Sequence, residues 1–273
     1  MRVLLTNDDG IAADGLHALR RALLQVPGIS LGVVAPDGNR SAMARSITIR
    51  RPLWVEEMQF EDGTVGYATD GTPVDCVRLA SLGLIEGWIP ELVVSGINHG
   101  SNIGDDITYS GTVAAALEAI VLGWPGIAVS QQSNALELDF RLSETFDFTA
   151  AAGFTAKLVA DLDGLPLPTG TLLNVNFPGA APEGVRVAKL GRRFYTDELA
   201  IVEESGPGRK LYQVYGQPHP AGMDELDTDV AAVASGYVAV TPLHFDLTDH
   251  SGVQALADHD LERLLHQPLD QQR

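Results

Sequence analysis

Six short apolar runs, Val3 to Leu5, Leu31 to Ala35, Leu92 to Ser95, Ile127 to Ser130, Leu172 to Val175 and Tyr237 to Thr241, recur along the chain with helical stretches between them. The runs are continuous rather than alternating, so the strands they predict are covered on both faces. That pattern belongs to a mostly parallel sheet with helices packed above and below, an α/β fold wound in both directions. Three stripes at helical spacing supply the covering layers. The first is Leu16, Leu19, Leu23 and Leu24, the second Val113, Leu117, Ile120 and Val121, and the third Phe146, Ala150, Phe154, Leu158 and Val159. A hairpin turning at Glu61-Asp62-Gly63 and joining Leu53–Val55 to Val65–Ala68 is expected as an insertion.

The 273 residues, 45% of them apolar, suffice for one large α/β domain or two smaller ones. A formal charge of -18 argues against a nucleic acid polymer or an anionic membrane as partner, since both select basic patches. A small phosphorylated ligand stays open if a local positive centre, such as a bound cation, offsets that field. Cys76 is the single cysteine, which removes intrachain disulfides and cysteine-based zinc clusters, and its place at the start of an expected helix favours packing over nucleophilic chemistry. Met1 leads straight into a strand without a leader pattern, and no run reaches the ~18 apolar residues of a membrane span, so a cytoplasmic location is expected.

In sheets of this kind ligands bind beyond the carboxyl ends of the strands, and three of those ends are polar. The first strand runs into Thr6-Asn7-Asp8-Asp9-Gly10, the second into Asp37-Gly38-Asn39-Arg40-Ser41, the third into Ser95-Gly96-Ile97-Asn98-His99-Gly100. Adjacent carboxylates converge only where the chain leaves the extended conformation, a turn that Gly10 allows. Two such charges about 4 Å apart repel by roughly 4 kcal/mol at an effective dielectric near 20, which a divalent ion would reverse. Carboxylate, hydroxyl and amide oxygens together suit Mg²⁺ or Mn²⁺ rather than zinc. The competing reading of Asn-Asp-Asp-Gly is ordinary turn chemistry.

Tyr109-Ser110-Gly111-Thr112 opens a helix of small residues. Its free N–H groups and positive dipole end suit a phosphate, while the plain alternative is an N-cap by Ser110 or Thr112. The Walker sequence and the dinucleotide fingerprint are both absent, and Gly28-Ile29-Ser30-Leu31-Gly32 fits the esterase pattern only ahead of a strand, the wrong place for a nucleophile elbow. His99 could protonate a leaving group or be an exposed loop residue. Arg192 and Arg193 could clamp a phosphate or be solvated charge.

From about residue 180 the chain turns Gly/Pro-rich at Gly206-Pro207-Gly208, then continues through Lys210-Leu211-Tyr212-Gln213-Val214-Tyr215 and Gly216-Gln217-Pro218-His219-Pro220. These read as extended arms that bury little alone and pack on another subunit. A terminal helix over Ala255–Leu265 could serve the same end.

The motifs at 6–10, Ala35-Pro36-Asp37 with Ser41 and Ser46-Ile47-Thr48, Gly71-Thr72-Pro73, Ser95-Gly96-Ile97-Asn98 and Ser110-Gly111-Thr112 occur in the order found in the SurE family of stationary-phase survival proteins, which the chain resembles. The likeness continues through Asn174-Val175-Asn176-Phe177-Pro178 and Thr228-Asp229-Val230 to Gly236–Leu243. It implies a Rossmann-like catalytic core over 1–180, with 181–273 completing the fold and mediating assembly as a homodimer or homotetramer. The implied activity is metal-dependent phosphomonoesterase action on nucleoside monophosphates, a 5′-nucleotidase with 3′-nucleotides and short polyphosphate as further substrates. The alternative is a non-catalytic nucleotide or metal sensor. By the same resemblance, one Mg²⁺ or Mn²⁺ per subunit is held by Asp8, Asp9, Ser41 and Asn98, with Asp8 and Asp9 catalytic, and phosphate meets Asn98, Ser110, Gly111 and Thr112. The chemistry expected is in-line attack by an activated water, the competing route being an aspartyl-phosphate.

Overall fold

A computed structural model describes the chain except for residues 136–144, 193, 197–198, 207, 214–216, 220–224 and 267–273. The expected runs become β1 (Arg2–Thr6), β2 (Ser30–Pro36), β5 (Leu92–His99), β6 (Gly126–Gln131), β7 (Thr171–Phe177) and β13 (Tyr237–His244). Between β2 and β5 lie the hairpin β3 (Val55–Gln59) and β4 (Val65–Thr69), and β8 (Gly184–Val187) follows β7. Together they form a nine-stranded sheet in the order β3-β4-β2-β1-β5-β6-β7-β13-β8. From β2 to β6 neighbouring strands are parallel, and β7 continues that set. The last run departs from the parallel expectation, since β13 lies antiparallel to β7. A continuous apolar run reports burial on two faces and carries no information about direction.

Side chains alternate across β1, and the two faces are covered by different helices. Val3 and Leu5 pack with Leu16, Leu19 and Leu23 of α1 (Asp14–Leu23) and with Ala151, Ala152 and Val159 of α4 (Thr149–Ala160). Leu4 points the other way, to Cys76, Val77 and Ala80 of α2 (Pro73–Ser81) and to Ala115 and Ala119 of α3 (Gly111–Val121). Cys76 is fully buried and burial pushes its thiol far above the ordinary value, as a packing role requires.

Two helical stripes shift. In α3 the buried face is Gly111 to Ala116 with Glu118 and Ala119, while Val121 is exposed. Small residues win there because the helix presses on the sheet: a Cβ on Gly126 would lie 2.5 Å from the Ala116 carbonyl oxygen. The buried Glu118 carboxylate is paired with Arg45 at 2.5 Å and Arg78 at 2.6 Å, which ties the segment after β2 to α2 and α3. Phe146 stands outside α4, which begins at Thr149.

The chain beyond 180 forms short β9 (Phe194–Thr196) and β12 (Gln217–His219), paired antiparallel, and a hairpin of β10 (Ala200–Glu204) with β11 (Lys210–Gln213). The hairpin is exposed along its length, which agrees with extended arms; Pro207, Val214, Tyr215, Gly216 and Pro220 of the expected arm lie outside the described residues. α5 (Asp229–Ala234) leads into β13. The tail, expected as one helix, is two: α6 (His250–Ala257) and α7 (Arg263–His266). Asp258, His259 and Asp260 are poor helix formers, and Asp260 accepts a hydrogen bond from the Arg263 N–H at 3.3 Å. No helix among the described residues is long and apolar enough to cross a membrane.

Candidate active site

β1 sits between β2 and β5, where the winding of the sheet reverses, and the crevice beyond such a switch point is where α/β sheets bind ligands. Asn7 shapes the turn after β1 by donating from Nδ2 to the Gly10 carbonyl at 2.9 Å and accepting from Gly10 N–H at 3.2 Å. Gly10 has φ +105°, and a side chain there would meet the Gly38 backbone at 3.0 Å. This local closure turns Asp8 and Asp9 out of strand alternation, so that both carboxylates are buried beside one another.

Asp8 is held by the start of α3. Its Oδ2 accepts from the Thr112 N–H at 3.1 Å and its Oδ1 from the Thr112 hydroxyl at 2.7 Å. The Thr112 hydroxyl also lies 3.3 Å from Asn98 Oδ1, which brings the amide at the end of β5 to the same point. Asn98 Nδ2 donates to the Gly100 carbonyl at 2.7 Å, so the amide turns its oxygen toward Thr112 and Asp8. Asp9 Oδ2 accepts from the His99 N–H at 3.0 Å and lies 2.9 Å from His99 Nδ1.

Asp8, Asp9, Asn98 and Thr112 therefore meet. Ser41 does not join them through a hydrogen bond among the described residues: its N–H donates to Asn39 Oδ1 at 2.8 Å and it is exposed. The neighbouring Arg40 N–H donates to the Asp8 carbonyl at 2.6 Å, so the segment that carries Ser41 does border the acids. Ser110 caps α3 by accepting from the Val113 N–H at 3.1 Å. With Thr112 N–H spent on Asp8, Gly111 N–H is the free donor in that first turn among the described residues. Arg192 is exposed, and Arg193 lies outside the described residues.

His99 is not an exposed loop residue. Its ring lies edge-on to Phe146 at 4.9 Å and to Phe148 at 5.1 Å. Sequence reasoning noticed His99 but placed Phe146 in a helical stripe, and it missed that the Thr112 N–H serves Asp8. A polar residue following Asn98 was the available signal for the first; contacts across more than a hundred residues leave none for the second.

Burial, reinforced by the Asp9 charge, raises Asp8 from the ordinary 3.8 to about 6, against the opposing hydrogen bonds from Thr112. Burial alone would lower His99, but the hydrogen bond and charge of Asp9 outweigh it and its pKa is raised. Two acids with buried side chains and a neutral amide oxygen are hard oxygen donors, the donor type that suits a hard divalent cation.

A carboxyl whose pKa rises on folding binds its proton more tightly in the folded state. Metal-free protein is therefore expected to lose on the order of 2–3 kcal/mol of stability from Asp8 as pH rises from about 4 to about 6. Denaturant unfolding with chelator across that range checks it. Asp8→Asn should flatten the slope, and an unchanged slope would assign it elsewhere.

A family model described as "Survival protein SurE" matches residues 3–197. The chain belongs to the SurE family. It is 53% identical over 268 residues to "5'-nucleotidase SurE" of Rubrobacter xylanophilus, covering 97% of this chain and 99% of that one. It is 45% identical over 261 residues to the protein of the same name from Pelotomaculum thermopropionicum, covering 94% of each. Among solved structures, the SurE protein from Aquifex aeolicus superposes with a TM-score of 0.76 at 35% identity, covering 94% of this chain and 100% of that one. The matched SurE segment contains all seven candidate site positions, from Asp8 to Thr112, and ends before the β10–β11 hairpin.

Proposed function

We propose that this SurE-family chain is a divalent-metal-dependent 5′-nucleotidase releasing phosphate from nucleoside monophosphates. The observation that carries the reading is the meeting of buried Asp8 and Asp9 with Asn98 beyond β1 and β5, in a family whose named relatives are 5′-nucleotidases. Asp8, Asp9, Asn98 and Ser41 would hold one Mg²⁺ or Mn²⁺ per subunit. Bound there, the ion would neutralise the paired acids and withdraw electrons from the phosphate.

The chain's own groups do the rest. The Gly111 N–H and the Ser110 hydroxyl, at the positive end of α3, donate to the phosphate oxygens. Asp8, held by Thr112 through both oxygens, and Asp9, held by His99 through Oδ2, would each keep lone pairs for the ion, and one of the two acids orients the attacking water. Residues 1–180 form the catalytic core and 181–273 complete the sheet and mediate assembly into a homodimer or homotetramer, with the exposed β10–β11 hairpin as a contact. A purely monomeric species in light scattering would contradict that assembly.

The test of function is phosphate release from 5′- and 3′-nucleotides and short polyphosphate, run in ¹⁸O-water with Mg²⁺ or Mn²⁺ and again with excess chelator. Release that needs the metal, prefers 5′-monophosphates and carries label in phosphate is expected. No release from any substrate with either metal would overturn the reading.

A further inference from the structure

The Asp9 carboxylate is engaged on one side. Its Oδ2 receives two hydrogen bonds from one residue, the His99 backbone N–H at 3.0 Å and His99 Nδ1 at 2.9 Å. Among the described residues no donor reaches Oδ1. Two donors converging on one oxygen fix both the position and the rotation of a planar carboxylate, and leave one oxygen to act.

The imidazole is itself held. It meets the Phe146 ring at 4.9 Å and 85° and the Phe148 ring at 5.1 Å and 90°. Those two rings stack on each other at 5.5 Å and 5°. Phe148 is buried and immediately precedes α4, whose Ala151, Ala152 and Val159 pack into the core, so the brace runs from Asp9 through His99 to a helix fixed on the sheet. A carboxylate oxygen 2.9 Å from Nδ1 requires the proton on that nitrogen.

We propose that His99 is a positioning residue for Asp9: clamped by Phe146 and Phe148, it fixes the carboxylate so that a single oxygen, Oδ1, is presented to the divalent cation. His99 acts through Asp9 and touches no reacting atom. The inference rests on the metal-dependent reading above.

Mn²⁺ affinity measured without turnover, from the EPR signal of free aqueous Mn²⁺ during titration, separates the two. Partners that orient a metal ligand typically carry 10–100-fold in affinity, so His99→Leu should weaken Mn²⁺ binding by about tenfold or more. His99→Asn places an amide N–H near the position of Nδ1 and should stay within about threefold of wild type. Equal affinity in all three proteins overturns the proposal. Equal losses in both variants, tracking a fall in the unfolding midpoint of the metal-free proteins, assign His99 to packing and also overturn it. A wild-type protein that binds no Mn²⁺ overturns the metal-dependent reading itself.

Discussion

Asp9→Asn is expected to lower kcat/KM for phosphate release from a nucleoside 5′-monophosphate by about three orders of magnitude, roughly 4 kcal/mol of transition-state stabilisation. The substitution keeps the shape of the side chain and removes one of two buried charges. It also replaces an oxygen that accepts from both the backbone and the ring of His99. Folding should not suffer, because relief of charge repulsion at Asp8 offsets the lost hydrogen bonds. Steady-state phosphate release, alongside the unfolding midpoint of the metal-free protein, measures both effects. Activity within tenfold of wild type would place the chemistry somewhere other than the end of β1.

Gly111→Ala should cost about a hundredfold in activity, because displacements approaching 1 Å at a reacting centre carry effects of that size. Its Cβ would lie 2.9 Å from Asp8 Cβ, 2.9 Å from Asp8 Oδ2 and 3.2 Å from Pro73 Cγ. Pro73 opens α2 in a reciprocal cap, where Thr72 accepts from the Asp75 N–H and the Asp75 carboxylate accepts from the Thr72 N–H, so it cannot retreat. Asp8 must move, and its bonds to Thr112 lengthen. The accompanying overpacking should reduce stability by about 1–3 kcal/mol. Wild-type activity with an unchanged unfolding midpoint would mean that α3 does not press on Asp8 as described.

The core elements were readable because burial writes itself locally. Six apolar runs marked six strands of the central sheet, and the turn residues at Glu61–Gly63 marked the hairpin. Errors fell where neighbours distant in sequence decide the outcome. In α3 the stripe holds for Val113, Leu117 and Ile120 and fails at Val121, and the close approach of α3 to β6 buries its alanines as well. Phe146 fits a helical period, yet it leaves the helix to pack against His99.

The candidate site divides in the same way. Asp8, Asp9 and Asn98 were legible as polar groups at strand ends, since the rule that ligands collect there needs only strand positions. The α3 start reads in sequence as suited to an anion, but its Thr112 N–H faces the protein's own carboxylate. Ser41 was grouped with the acids, whereas its hydroxyl makes no hydrogen bond to them among the described residues.

What the sequence alone determined is the class of fold and the chemical kind of the site: continuous apolar runs force a sheet covered on both faces, and carboxylates beside a glycine at a strand end specify hard oxygen donors. What tertiary structure decided is how each carboxylate is held. Hydrogen-bond partners 90 and 104 residues away, His99 for Asp9 and Thr112 for Asp8, fix Asp9 through Oδ2 and Asp8 through both oxygens. Hydrogen bonding depends on ångström-scale geometry created only when distant segments pack, so no local pattern encodes it.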